Sequence, residues 1–149
     1  MDVKQHKTSI LIADDDADDR MLLEQAFQKA KLTSKLYFVE DGEELLDFLY
    51  QRPPYENSMR PSLIILDLNM PRKNGVQALR EIKENDQLRQ IPVVVLTTST
   101  AEEDILRTYD LGVSSYISKP FDFKSLLEIT QTIKKYWIDT VSLPDDSNR

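Results

Sequence analysis

No cysteine occurs anywhere in this chain, which excludes a disulfide framework, a thiolate metal site and a cysteine nucleophile together. Histidine is almost as scarce. His6 is the only one, in a polar start expected to fray, so neither a His-rich metal centre nor a Ser-His-Asp triad can be assembled. Gly42, Gly75 and Gly112 are the only glycines, too few and too scattered for a glycine-rich phosphate loop. No apolar run approaches the ~20 residues that span a bilayer, and Met1 to Ser9 hold no signal-peptide core. A basic patch is missing too. The net charge is −7, which argues against nucleic acid and against anionic membrane surfaces as partners. These absences predict a cytoplasmic protein. Its 149 residues suffice for one domain that buries roughly 68–70% of its unfolded surface without staples.

What is present is strict alternation. Five short apolar runs, Ile10 to Ala13, Leu36 to Val39, Leu63 to Leu66, Val93 to Leu96 and Ser115 to Ile117, are separated by helix-like segments. Leu23, Ala26, Phe27 and Ala30 mark one face of the first helix, and Leu45, Phe48 and Leu49 mark a short second one after Asp41-Gly42. Gly75, Ala78, Leu79 and Ile82 line the third after Asn74; the fourth runs from Ala101 to Leu111 and stops at Gly112. The last runs from Phe123 to Ile138, with Leu126, Ile129, Ile133 and Trp137 near one face. Gln51 to Pro61, with Pro53, Pro54 and Pro61, reads as a loop. Solid apolar strands are buried on both faces and imply a parallel sheet. Alternation implies right-handed crossovers and helices on both sides. The predicted class is α/β, a doubly wound five-stranded parallel sheet, with no repeat, low-complexity tract or interdomain linker.

Such sheets bind ligands at the carboxyl ends of their strands, and the polar residues that end the runs collect there. Asp14 and Asp15 follow the first run, Asp67 the third, Thr97 the fourth and Lys119 the fifth. Each has an ordinary reading by itself. Acidic residues before a helix, Asp14 and Asp15 or Asp16, Asp18 and Asp19, suit its dipole. A strand-end Asp67 suits a turn, Thr97 to Thr100 a capping loop, and Lys119-Pro120 another turn. Together they are a phosphate chemistry set. A carboxylate such as Asp67 can attack phosphorus and form an acyl phosphate. Its neighbours Asp14 and Asp15 would repel it unless a cation sat among them, and Mg²⁺ prefers such oxygen ligands. Lys119 and Thr97 can hold phosphate oxygens. Counting from Asp14 rules out an EF-hand loop, whose sixth and twelfth positions are here Asp19 and Gln25. A haloacid-dehalogenase-type phosphatase carries a second Asp two residues after the nucleophile, and that position is Asn69.

On Asp14-Asp15, Asp67-Leu68-Asn69-Met70-Pro71, Gly75, Thr97 and Lys119-Pro120, the chain resembles the response-regulator receiver family, from about Ser9 to Ile138. The resemblance implies a flavodoxin-like (βα)5 receiver fold. It implies one receiver domain over 1–149, with a core at about 9–138 and 139–149 as a C-terminal extension too short for an output domain. Asp67 would accept a phosphoryl group from a sensor histidine kinase. Mg²⁺ would be held by Asp14, Asp15, Asp67 and the backbone carbonyl of Asn69, with Asp14 acting mainly through metal-bound water. Thr97 and Lys119 would hold the phosphoryl group, and Thr97 and Tyr116 would form the switch, although an aromatic on a short strand also serves plain packing. The implied catalysis is limited to self-phosphorylation from a phosphodonor and slow autodephosphorylation. Tyr136-Trp137 and Val141 to Pro144 are similar to the extension of phytochrome-associated single-domain regulators. That similarity implies a phytochrome-like kinase and a homodimer through the fourth helix, fifth strand and fifth helix. Trp137 capping its own core is the plainer alternative. A receiver fold that docks without phosphate is the competing function.

Overall fold

The computed structural model describes residues 8–144; His6 and the final residues of the extension lie outside them. The elements alternate as expected: β1 (Ser9–Ala13), α1 (Ala17–Lys29), β2 (Lys35–Val39), α2 (Gly42–Leu49), β3 (Leu63–Leu66), α3 (Gly75–Glu84), β4 (Val93–Thr97), α4 (Glu102–Leu111), β5 (Ser115–Ser118) and α5 (Phe123–Ile133). One sheet, all parallel, runs β2-β1-β3-β4-β5. Strand order reverses between β1 and β3, which leaves a crevice at their carboxyl ends.

The apolar runs explain the layers. Every residue of β1, β3 and β4 is buried, whereas the edge strands β2 and β5 are mostly half-exposed. Successive side chains alternate between faces. Leu11, Ile64, Leu66 and Val95 meet Leu45 of α2 and Leu79 and Ile82 of α3 on one face. Ile12, Ile65 and Leu96 meet Leu23 and Phe27 of α1 and Leu126 and Ile133 of α5 on the other. Each such aliphatic side chain contributes roughly 1.5–3 kcal/mol on full burial. The two faces together therefore supply the bulk of the driving force.

Helix starts are capped by the residues that precede them. Asp16 accepts from the amides of Asp18 and Asp19 at 2.8 and 3.1 Å. Asp41 caps α2, Asp122 caps α5, and Asn74 forms a reciprocal capping box with Gln77. Gly112 ends α4 in the left-handed region at φ 102°.

Two local features depart from the sequence reading. A 3-10 turn at Leu88–Gln90 follows α3. The last helix is not uniform: beyond Ile133 it widens into a π-helical turn, Lys134–Ile138, in which the amide of Asp139 reaches the carbonyl of Lys134. The extra residue in that turn shifts the buried stripe. Ile138 is fully buried, while Trp137, near the face of Leu126 and Ile133, is half-buried and packs against the same core, as does Leu143. Ala30, expected on the face of α1, is its half-buried C-cap. Gln51 to Pro61 is the predicted irregular loop, at the pole of the sheet opposite the crevice. Among the described residues no helix is long and apolar enough to cross a membrane.

Candidate functional site

Four of the strand-end residues meet in one hydrogen-bonded network. Parallel register brings Ala13 beside Leu66, and the amide of Asp67 bonds the carbonyl of Ala13 at 3.0 Å, so Asp14 and Asp67 leave adjacent strands side by side. The amide of Lys119 likewise bonds the carbonyl of Thr97 at 2.8 Å. Asp14, Asp67 and Thr97 are all buried. Thr97 Oγ1 donates to Asp67 Oδ1 at 2.8 Å. The amide of Asn69 approaches the same oxygen at 3.3 Å, with the Asn69 side chain out in solvent. Asp67 Oδ2 takes Lys119 Nζ at 2.9 Å, and Asp14 Oδ2 takes it at 2.8 Å.

Asp15 is exposed, yet one carboxylate oxygen each from Asp14, Asp15 and Asp67 lies within 4.8 Å of the others. Three hard oxygen donors with excess negative charge fit a divalent cation of the Mg²⁺ class. Tyr116, on β5, is half-buried and gives its hydroxyl to the carbonyl of Ser99, in the loop after Thr97, at 2.9 Å. Ser99 in turn donates through its own hydroxyl to Asp104 at the start of α4.

Asp19 is the site residue that sequence reasoning missed. Its Oδ2 lies 3.0 Å from Lys119 Nζ, so the ammonium's three protons face three carboxylates. The first-turn acidic run masked it, but a signal was available: Asp19 precedes Leu23 and Phe27 at helical spacing and so lies on the buried face of α1. Arg20 adds a second unforeseen contact, giving Nη1 to the carbonyl of Asp14 at 2.7 Å.

One ammonium divided among three carboxylates leaves each acid underserved. Burial pushes the Asp14 carboxyl above its ordinary range, and Lys119 and the amide of Asp16 offset this only in part. Burial also opposes the charge on Lys119, but hydrogen bonds to Asp14, Asp67 and Asp19 outweigh it and hold the ammonium above its ordinary range. The centre of the site is thus one ammonium surrounded by more negative charge than it can neutralise.

Gly75 completes the site from behind. A Cβ there would stand 2.3 Å from the Asp67 carbonyl oxygen and 2.7 Å from Leu68 Cα. The start of α3 can approach Asp67 this closely only because the side chain is absent. Beside Lys119 a cleft of about 350 Å³ opens between α1 and α5, lined by Leu22, Thr98, Phe121 and Leu126 among others.

Residues 10–131 match the family model described as the response regulator receiver domain. Response regulator Rcp1 of Synechocystis sp. is 43% identical over 138 residues, covering 93% of this chain and 93% of that protein. The probable methanogenesis regulatory protein FilR2 of Methanothrix harundinacea is 38% identical over 129 residues, 87% of this chain and 83% of that one. Among solved structures, the phosphorylated cyanobacterial phytochrome response regulator RcpA superposes with a TM-score of 0.87 at 39% identity, covering 92% of this chain and 98% of its own. The Mn²⁺-bound form of Rcp1 gives 0.86 at 42%, covering 92% and 99%.

Proposed function

We propose that this chain, which belongs to the response regulator receiver domain family, takes its phosphoryl group onto Asp67 from a histidine kinase, with Mg²⁺ held by Asp14, Asp15, Asp67 and the Asn69 carbonyl. As a member it is a phosphoacceptor of two-component signalling. The observation that carries the residue assignment is the Lys119 ammonium seated between Asp14 and Asp67 while Thr97 holds the other Asp67 oxygen.

The chemistry follows from those contacts. An Asp67 carboxylate oxygen forms the new bond to phosphorus as the donor's phosphorus–nitrogen bond breaks, and its electron pair leaves on the imidazole. When bound, Mg²⁺ neutralises charge on the transferring phosphoryl oxygens. Once Asp67 carries the phosphoryl group as an acyl phosphate, Lys119 Nζ and Thr97 Oγ1 exchange its carboxylate for phosphoryl oxygens. Movement of Thr97 toward the phosphate vacates space behind it, and Tyr116 follows, releasing Ser99 and with it the link to Asp104 and α4. The cleft with the fully exposed Phe121 at its rim is where the donor protein presents its histidine. A phytochrome-like kinase is the proposed donor, in keeping with RcpA being a phytochrome response regulator.

The test is intact mass after incubation with acetyl phosphate. One phosphoryl adduct on the wild type, lost when Mg²⁺ is chelated, is the expected result. No adduct, under conditions that label another receiver, would leave a docking module that works without phosphate.

A homodimer through α4, β5 and α5 is the proposed output contact. Leu106 and Tyr109 on α4 stand 59% and 48% exposed, and Tyr136, in the π turn beyond α5, 53%. Apolar surface in this quantity on neighbouring elements suits a self-association face. Sedimentation velocity of the wild type is expected to show dimer, and Leu106→Asp with Tyr109→Asp to show monomer. A wild type that sediments as monomer across its soluble range, with or without phosphate, would remove the dimer from the account.

A further inference from the structure

Outside the network of Lys119, a second ion pair holds the loop that follows the acceptor. Asp41, at the turn between β2 and α2, is buried. Its Oδ1 caps α2 through the amide of Glu44 at 2.9 Å, and its Oδ2 receives Arg72 Nε at 2.8 Å and Nη2 at 2.7 Å. Two guanidinium donors on one buried carboxylate make a strong, directional contact. Arg72 pays for it locally, with a backbone φ of +60°, a region that ordinary side chains avoid.

The next residue seals the same joint. The carbonyl of Lys73 accepts the amide of Gly42 at 2.9 Å, and a Cβ on Gly42 would lie 2.2 Å from that oxygen. The Lys73 ammonium also joins Glu81 of α3 and, at 3.9 Å, Glu43 of α2. At its ends the loop returns on itself: the amide of Gly75 bonds the carbonyl of Leu68 at 2.9 Å. Leu68 and Met70 plug it into the core from below. Asn69, between them, has its side chain in solvent, so its backbone has no side-chain anchor of its own. The direction of its carbonyl is inherited from the residues on either side.

We propose that Arg72 is a positioning residue for the divalent cation: its ion pair with Asp41 fixes the loop from Asp67 to Asn74 so that the Asn69 carbonyl and the Asp67 carboxylate address one ion. The proposal rests on the metal assignment above. It differs from a purely structural role because the strain at Arg72 is relieved by removing it. Arg72→Gly accepts φ +60° freely and cuts the clamp, leaving Asp41 to cap α2.

The experiment is Mg²⁺ titration by calorimetry of the full, unphosphorylated chain, with urea unfolding of each variant without metal. For Arg72→Gly, Mg²⁺ affinity is expected to fall about 10-fold, the usual scale for a group that orients a metal ligand from behind, while the chain stays folded without metal, relief of the +60° backbone offsetting part of the lost ion pair in the unfolding midpoint. Asp41→Asn keeps the cap and is expected to weaken Mg²⁺ similarly, and the double variant no further. Arg72→Lys is expected to recover part of the loss. An Arg72→Gly affinity within about twofold of wild type, or losses that add in the double variant, would overturn the proposal. Asp15→Asn separates the two levels. If it abolishes a binding event that the wild type shows, the metal assignment stands whatever Arg72 does; a wild type that binds no Mg²⁺ overturns both.

Discussion

Asp67→Asn is expected to abolish phosphorylation while the chain stays folded. An amide oxygen can still accept from Thr97, so the Oδ1 side of the network survives. Lys119 loses its partner at Oδ2 but keeps Asp14 and Asp19, so no buried cation is stranded. What disappears is the anionic nucleophile, and no other described carboxylate stands between Thr97 and Lys119 to replace it. Removal of one of three clustered carboxylates is also expected to weaken Mg²⁺ by at least the roughly 10-fold that the loss of even an outer partner brings. Intact mass after acetyl phosphate treatment, with Mg²⁺ calorimetry alongside, checks both parts. An adduct that forms on Asp67→Asn at the wild-type rate would place the acceptor elsewhere.

Lys119→Met is expected to damage both stability and chemistry, and Mg²⁺ is expected to repair only the first. The ammonium is nearly buried between Asp14 and Asp67. Breaking a buried pair while leaving the acids costs ~3–5 kcal/mol, because the carboxylates then face each other without a counter-charge. A divalent cation among them restores that charge, so the urea midpoint of the variant is expected to rise with Mg²⁺ far more than that of the wild type. Phosphorylation from acetyl phosphate is expected to stay about 10²-fold slow, since a positioned donor to the transferring group is missing.

The same contact sets a pH window. The folded chain holds the Lys119 ammonium above the ordinary lysine value. Its contribution is therefore complete below the unfolded pKa of about 10.4 and is lost as pH climbs through the folded value. Wild-type stability is expected to fall in that alkaline range with a slope that Lys119→Met lacks. If the two unfold in parallel from neutral to alkaline pH, or if Mg²⁺ raises both equally, the ammonium is not the counter-ion described.

Much of the fold was readable from periodicity, because burial on two faces forces solid apolar strands and burial on one forces a helical stripe. Gly75, Ala78, Leu79 and Ile82 were expected on one face and all four are buried. Asp14, Asp67, Thr97 and Lys119 were expected at one sheet edge, and they share hydrogen bonds. What escaped depends on contacts that no period encodes. Asp19 and Lys119 stand 100 residues apart, and an acidic first turn has a sufficient local explanation. The pairing of Asp41 with Arg72 likewise joins two loops, neither of which has a repeat to betray its neighbour. The last helix escaped in another way: its buried stripe passes from Ile133 to Ile138 across a π turn that gains a residue, while Trp137 packs half-buried against the same core.

The loop Gln51 to Pro61 has a consequence for how such a protein diverges. It connects α2 to the start of β3, while Asp67 leaves the other end of that strand, roughly 13 Å away for four residues at ~3.3 Å each. Tyr55 packs its ring at a tilt against Phe48 and bonds Glu44, and Ser58 bonds the carbonyl of Phe48, so the loop leans mainly on α2, with Arg60 reaching the carbonyl of Gln87 beyond α3. Lengthening a connection of this kind adds little closure entropy. Insertions there reach solvent without crossing the sheet. Descendants of one ancestor can rebuild that pole, and so acquire new neighbours in the cell, while inheriting the phosphoryl chemistry at the other pole unchanged.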